Sequence, residues 1–373
     1  QVLAKMGEIL QKQSSYRRAI ETLTRAATLS RKIKAQDVEA QVLLFTGRTY
    51  WSMGEFEKGI EALRQSGRTA EASNEERTGA LALYYLGVIY RDKAEYDQAM
   101  SCYEDSKARF EALGEKRLES FPLYDMAVLH LYRGRTSTAR DYFSQIESLY
   151  REIGYKSGLA AALGNLGVIA ARHGDFEAAF RFGEEALEIA ENLGERLAVA
   201  YGNINLGIYE YMQTSYREAL SRLATAREII EDIGARGYLG FVLPYTACAH
   251  AQLGEYEEAF RNARDHFLEV KRTGSDVENG RTALAVALAL QHAEHSESEL
   301  FQAARVLLSE ITDIAGIEAT ADAFFRRAIE SARRSQYIQT LVPALSAFGR
   351  YLVDHAAAVS SPDSREAALE EAK

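Results

Sequence analysis

The chain has 373 residues, 47% hydrophobic and 26% charged, with 4 prolines and a formal net charge of −10. This composition suits a soluble chain of helices with an ample core. The acidic balance argues against a general nucleic-acid surface, which needs a basic face for phosphates.

The basic clusters Arg17-Arg18, Arg326-Arg327 and Arg333-Arg334 alternate with acids or lie on helices, and read as solvated faces. The longest apolar run, "TALAVALALQ" from Thr282, is too short to cross a membrane. No basic, apolar leader opens the chain, so no secretion signal is expected. Cys102 and Cys248 lie far apart, which fits a reduced, cytoplasmic compartment.

In chain order the sequence predicts one unit over and over. An aromatic or its substitute stands at Tyr16, Phe56, Tyr96, Thr136, Phe176, Tyr216 and Tyr256, with every interval equal to 40. Three residues after each comes a small residue: Ala19, Gly59, Ala99, Ala139, Ala179, Ala219 and Ala259. Nine before each aromatic is another: Gly7, Gly47, Gly87, Ala127, Gly167, Gly207 and Ala247. A further mark runs through "LGE" at 113, "IGY" at 153, "LGE" at 193 and "IGA" at 233. A fixed period of this length is the signature of a stacked repeat.

Each copy reads as two helices. In the fifth, Leu163, Leu166, Gly167 and Ala170 share one helix face, and after the Gly174 turn Phe176, Ala179, Gly183 and Ala186 share another. Neither apolar stripe can be hidden alone, so each helix packs on its partner and on the next copy. The small residues mark where two backbones come close, and the aromatic fills the gap beside them. The expected fold is all-α, a right-handed superhelical α-solenoid of stacked antiparallel helix pairs.

The pattern Leu163, Leu166-Gly167, Gly174, Phe176 and Ala179 resembles the tetratricopeptide repeat, whose commonest form has about 34 residues. The longer copies here suggest longer second helices. Such copies are similar to those of kinesin light chains, of the Leu-Gly-Asn repeat adaptors, and of arrays in bacterial signalling ATPases and transcription activators. The resemblance is strong over residues 1–275, read as seven hairpins, and weak over 276–373, read as degenerate copies with an inserted helix. It implies a fold and leaves function open.

Function is then sought on the face of the first helices that the resemblance places along a concave groove. That face carries Phe45, Arg48 and Trp51; then Tyr84, Tyr85 and Arg91; then Phe121, Tyr124, Asp125 and Tyr132. It continues with Asn165, then Tyr201, Asn205 and Tyr211, then Phe241 and Tyr245. Contiguous exposed apolar patches mark binding sites, and Tyr, Trp and Arg dominate interface energies. Part of this set is expected to pack between helices. Asn165 and Asn205 share one slot, where a side-chain amide can pair with the backbone of an extended peptide; the resemblance to long-repeat adaptors implies that role. The alternative is that they bond within the array. Asp92 and Asp125 offer acidic discrimination, and Arg48 and Arg91 offer charge-assisted pairs to a partner carboxylate. The residues after the first-helix glycine are Glu8, Arg48, Val88, Val168 and Ile208, so the Lys and Asn carboxylate clamp of chaperone-binding relatives is absent.

No enzyme chemistry emerges. The sequence holds no Gly-rich phosphate loop, nucleophile elbow, Cys-x-x-Cys or His-Glu-x-x-His. His292, His295 and Glu299 sit where the register fails and fall short of the convergent ligands that a metal needs. His130 and His250 stand where Tyr50 and Tyr90 stand in other copies, and read as core fillers. No cofactor is expected.

Past 275 the register slips: Ser296 fills the aromatic slot, Leu300 to Ile314 reads as an extra helix, and Phe325 and Ala328 restore the spacing. "LVPALSAFGRYL" reads as another first helix. With apolar faces at both ends, the expectation is a longer parent chain or a partner that covers them. Two functions follow. One is a non-enzymatic scaffold whose aromatic groove binds a partner peptide or helix, without direct nucleic-acid or membrane contact. The other is a sensor module of a larger signalling enzyme or transcription activator that binds a small-molecule or peptide inducer.

Overall fold

The computed structural model describes residues 2–13, 15–273, 279–293, 308–311, 314–315, 320–334, 347–348 and 351. The chain divides into two compact units, Gln1–Ile169 and Ala170–Lys373. The described residues are helical apart from short turns. None of their helices is long and apolar enough to cross a membrane.

The first unit runs α1 (Val2–Lys12), α2 (Tyr16–Lys32), α3 (Gln36–Ser52), α4 (Phe56–Ala72), α5 (Glu76–Asp92), α6 (Tyr96–Ala112), α7 (Lys116–Tyr132) and α8 (Thr136–Ile153), then enters α9 (Lys156–Arg172). The second continues with α10 (Phe176–Leu193), α11 (Arg196–Met212), α12 (Tyr216–Asp232), α13 (Leu239–Gln252), α14 (Tyr256–Thr273), α15 (Asn279–Ala293) and α16 (Ala321–Arg334). The periodic aromatic is thus the first residue of each second helix. From α2 to α12 every helix runs 17 or 18 residues, so the two helices of a copy differ by at most one residue and the added length is not carried by the second alone.

A finer period governs the turns. A left-handed residue recurs every 20 positions: Lys34, Gly54, Asn74, Ala94, Gly114, Gly134, Gly154, Gly174, Gly194, Thr214, Gly234 and Gly254. Each closes the preceding helix with the same bond from the next residue, as where the Glu55 N–H donates to the Tyr50 carbonyl at 2.9 Å and that of Ser215 to Glu210 at 2.9 Å. Glycine takes this conformation freely, whereas a side chain there costs about 1–2 kcal/mol. Thr214, at φ 64°, is β-branched. Thr214→Gly should therefore raise stability, by about 1 kcal/mol after the entropic cost of glycine, read as a higher urea midpoint.

The small residues do bring backbones together. A Cβ on Gly7 would lie 2.5 Å from Leu23, and one on Gly87 would lie 2.5 Å from the Tyr103 ring and 3.2 Å from the Ala99 carbonyl oxygen. Beside these contacts the Ser66 and Ser106 hydroxyls donate to the carbonyls of Ala40 and Ala80 at 2.8 and 2.9 Å, tying second helix to first.

In the second unit the core slot of Leu23, Leu63, Tyr103, Phe143 and Leu223 falls to Gly183. The space is filled from the next copy: a Cβ on Gly183 would lie 2.9 Å from Leu206 and 3.2 Å from Tyr209. Tyr209 meets Phe180 edge-on at 5.9 Å. Farther along, a short turn at Arg236–Tyr238 precedes α13, and α13 to α16 share a core with Phe260, Phe324, Phe325 and Phe348. "LVPALSAFGRYL" and the expected helix from Leu300 to Ile314 fall mostly outside the described residues.

Candidate functional site

In the first unit α5 touches α3 on one side and α7 on the other, so side chains one copy apart meet. Tyr85 is the hub. Its ring lies 6.4 Å from Trp51 and 5.0 Å from Tyr84, while Tyr84 lies 6.1 Å from Phe121. The Arg48 guanidinium sits 4.7 Å from the Tyr85 centroid and 5.8 Å from Phe45. All five rings are half-buried.

A polar chain runs beneath them. The Trp51 indole Nε1–H donates to Asp92 Oδ2 at 2.7 Å. Arg91 donates through Nε and Nη2 to Asp92 Oδ1 at 3.0 and 2.9 Å, and through Nη1 to Asp125 Oδ1 at 2.8 Å. Asp125 is only 7% exposed, so it is not the open acidic determinant expected of a groove wall. Burial pushes its carboxyl above the usual range against the pull of Arg91 and of a hydrogen bond from Tyr84. Burial opposes the Arg91 charge, yet Asp125 and Asp92 hold its pKa above the ordinary value. Arg91 is thus committed internally and unavailable to a partner carboxylate.

Tyr103, which the sequence reading left out, lies under this network. Its ring is 6.0 Å from Tyr84, and its hydroxyl is buried with no hydrogen-bond partner. The sequence did hold a signal for it, because a polar ring replaces the Leu23 and Leu63 of earlier copies.

The remaining predicted residues part company. Tyr124 packs edge-on against Phe143 at 5.4 Å, and Asn165 Nδ2 donates to the Tyr124 hydroxyl at 2.8 Å and the Ala161 carbonyl at 2.9 Å. Both amide protons of Asn165 are therefore used inside the unit. Tyr132 is exposed, against Tyr96 at 6.5 Å.

In the second unit Asn205 is half-buried with no side-chain hydrogen bond among the described residues, whereas its neighbour Asn203 is buried and bonded to the Val199 carbonyl at 3.0 Å. Tyr201 and Phe241 are exposed, and Tyr201 meets Tyr238 at 5.2 Å. Tyr211 packs on Tyr216 and Tyr245. Tyr245 itself is 8% exposed, with the Arg281 guanidinium 4.0 Å over its ring, so it belongs to the core rather than to an open wall.

Of the histidines, His130 is buried and stacked on Tyr142 at 5.4 Å, with burial holding its pKa below the usual value. His250 is half-buried and bonded to Glu255 at 2.7 Å. Both cysteines are free. Among the described residues no group of His, Cys, Asp and Glu could hold a metal; the His292, His295 and Glu299 side chains lie outside them.

No curated protein matches the chain. The family described as tetratricopeptide repeat matches residues 80–152, 139–192 and 158–232. Among solved structures, a Signal Transduction ATPase with Numerous Domains with a tetratricopeptide repeat sensor, from Pyrococcus horikoshii, is 14% identical, with 81% of this chain and 44% of that one covered at a TM-score of 0.62. This chain thus spans less than half of that protein. A Rap protein complexed with Competence and Sporulation Factor is 14% identical over 99% of this chain and 98% of that one, TM-score 0.60. The apo quorum sensor NprR from B. thuringiensis is 13% identical over 100% and 98%, TM-score 0.55. At these identities the likeness is one of fold. The family match over residues 80–232 falls within one unbroken 40-residue register from Tyr16 to Tyr256, so that stretch is similar to the tetratricopeptide repeat.

Proposed function

We propose that the first unit binds an extended peptide segment of a partner protein on the ring-lined face of α3, α5 and α7, and that it acts by binding rather than by catalysis. The observation that carries this reading is the cluster of five half-buried rings across three copies, Trp51, Tyr85, Tyr84 and Phe121 in successive ring contacts and Phe45 joined to them through Arg48. Rings already packed on one side lose little freedom when a ligand covers the other, which favours affinity. A sensor role for the array is the second reading. Of the proteins that share the fold, one is described as carrying a repeat sensor and another holds a bound factor, which accords with it.

Trp51 is the sole tryptophan of the chain, so its emission reports on this face alone. Mixtures of acetylated, amidated nonapeptides rich in Leu, Tyr and Phe should shift that emission saturably. Tyr85→Ala should weaken the shift about tenfold or more, with unchanged circular dichroism. Peptides that bind without moving Trp51 emission, or that bind the variant equally well, would place the partner elsewhere.

A further inference from the structure

Among the described arginines of the first unit Arg48 alone has a buried, unpartnered nitrogen, whereas Arg117, also without an ion pair, sits 4.5 Å over the Tyr155 ring. Arg91 is paired with Asp92 and Asp125, Arg109 with Glu71, Arg133 with Asp97, and Arg64 donates to the Tyr90 hydroxyl. Arg48 has no ion pair and no side-chain hydrogen bond among the described residues, and its Nε is buried without a partner. Its described contacts are the faces of Tyr85 and Phe45. Glu8 of α1 is bonded instead to Lys5 at 3.0 Å.

A guanidinium carries five N–H donors in a planar fork that matches a carboxylate, and ring faces satisfy none of them fully. Withdrawing such donors from water without an acceptor is costly, and the cost is recovered when an anion arrives. Arg48 sits one turn after Phe45 and one turn before Trp51 on α3. A chain whose terminal carboxylate ended on Arg48 would cover one of those rings and leave the other bare. A chain with an acidic side chain in its interior continues in both directions and covers both.

We infer that the bound segment places an internal aspartate or glutamate on Arg48, flanked on each side by apolar residues that cover Phe45 and the Trp51–Tyr85 pair. This rests on the peptide-binding reading above and names the ligand chemistry of the same face. Arg48 selects for the acid, and the rings supply the area.

The test uses the whole 373-residue chain and acetylated, amidated nonapeptide mixtures with Leu, Tyr and Phe around a fixed central Glu, Gln or Lys, read by Trp51 emission. Central Glu should bind about tenfold or more tighter than central Gln, and Lys more weakly than either. Arg48→Gln should bring the Glu to Gln ratio close to one, and 0.5 M salt should narrow the ratio in the wild type. Equal affinity for Glu and Gln peptides overturns the acidic assignment and leaves the ring-lined site standing. A requirement for a free carboxyl terminus overturns the internal placement. If no mixture moves Trp51, the peptide-binding reading fails and this inference with it.

Discussion

Urea denaturation of Arg91→Met at neutral pH, followed by Trp51 emission, is expected to show a loss of about 3–5 kcal/mol in the first unit. The methionine keeps the length of the side chain and removes its charge. Asp125, buried and hydrogen-bonded by Tyr84, then loses the one cation paired with it among the described residues, and breaking such a pair costs more than the pair itself contributes. The pH dependence follows from the sign of the Asp125 shift. Its folded pKa is already above the ordinary value, so the stability linked to it is greatest below the unfolded pKa and is lost as pH rises through the folded one. Without Arg91 the folded pKa climbs further and that loss deepens. The gap between wild type and variant should therefore be widest near neutrality and close on acidification through the carboxylate range. A gap that stays constant with pH would show that Arg91 contributes through packing alone.

Gly87→Ala should destabilise the same unit by about 1–3 kcal/mol. The added methyl meets the Tyr103 ring at 2.5 Å and the Ala99 carbonyl oxygen at 3.2 Å, one a wedged aromatic and the other backbone. Tyr103 is fully buried, so its ring has no open side to swing into. A shorter neighbour should relieve the strain: the double variant with Tyr103→Leu, the residue of the two earlier copies at that slot, should recover part of the loss. Additive destabilisation in that cycle would mean that the two positions do not touch.

The helical hairpins could be read from residues because both devices that build them are local. An aromatic that opens a helix and a glycine that admits a neighbour repeat in register, and seven copies make chance agreement improbable. The 20-residue rhythm of the turns escaped because it is a rule of conformation rather than of composition: Lys34, Asn74, Ala94 and Thr214 adopt the glycine-like conformation without being glycine. The candidate face was legible as a set of aromatics and no further. Whether a residue there is free depends on its neighbour one copy away. Arg48 and Arg91 look alike in sequence, yet Arg91 meets Asp125 on the next first helix and Arg48 meets rings. Asn165 and Asn205 share a slot, but only Asn165 has a tyrosine hydroxyl beside it. Asp125 and Tyr245 were assigned to an open wall, and their burial comes from contacts with Tyr84 and Arg281 that no single helix pattern contains.

The exchange of bulk between Gly183 and Tyr209 bears on how such an array can change. A ladder of identical rungs could be lengthened or shortened at any joint by recombination. Here the rung that begins at Phe176 is hollow where five others carry a large side chain, and the next rung carries the matching plug. Cutting between them would leave a void on one side and a stranded tyrosine on the other, so the two rungs can be moved without loss only as a pair, and the order of the copies is written into their sizes.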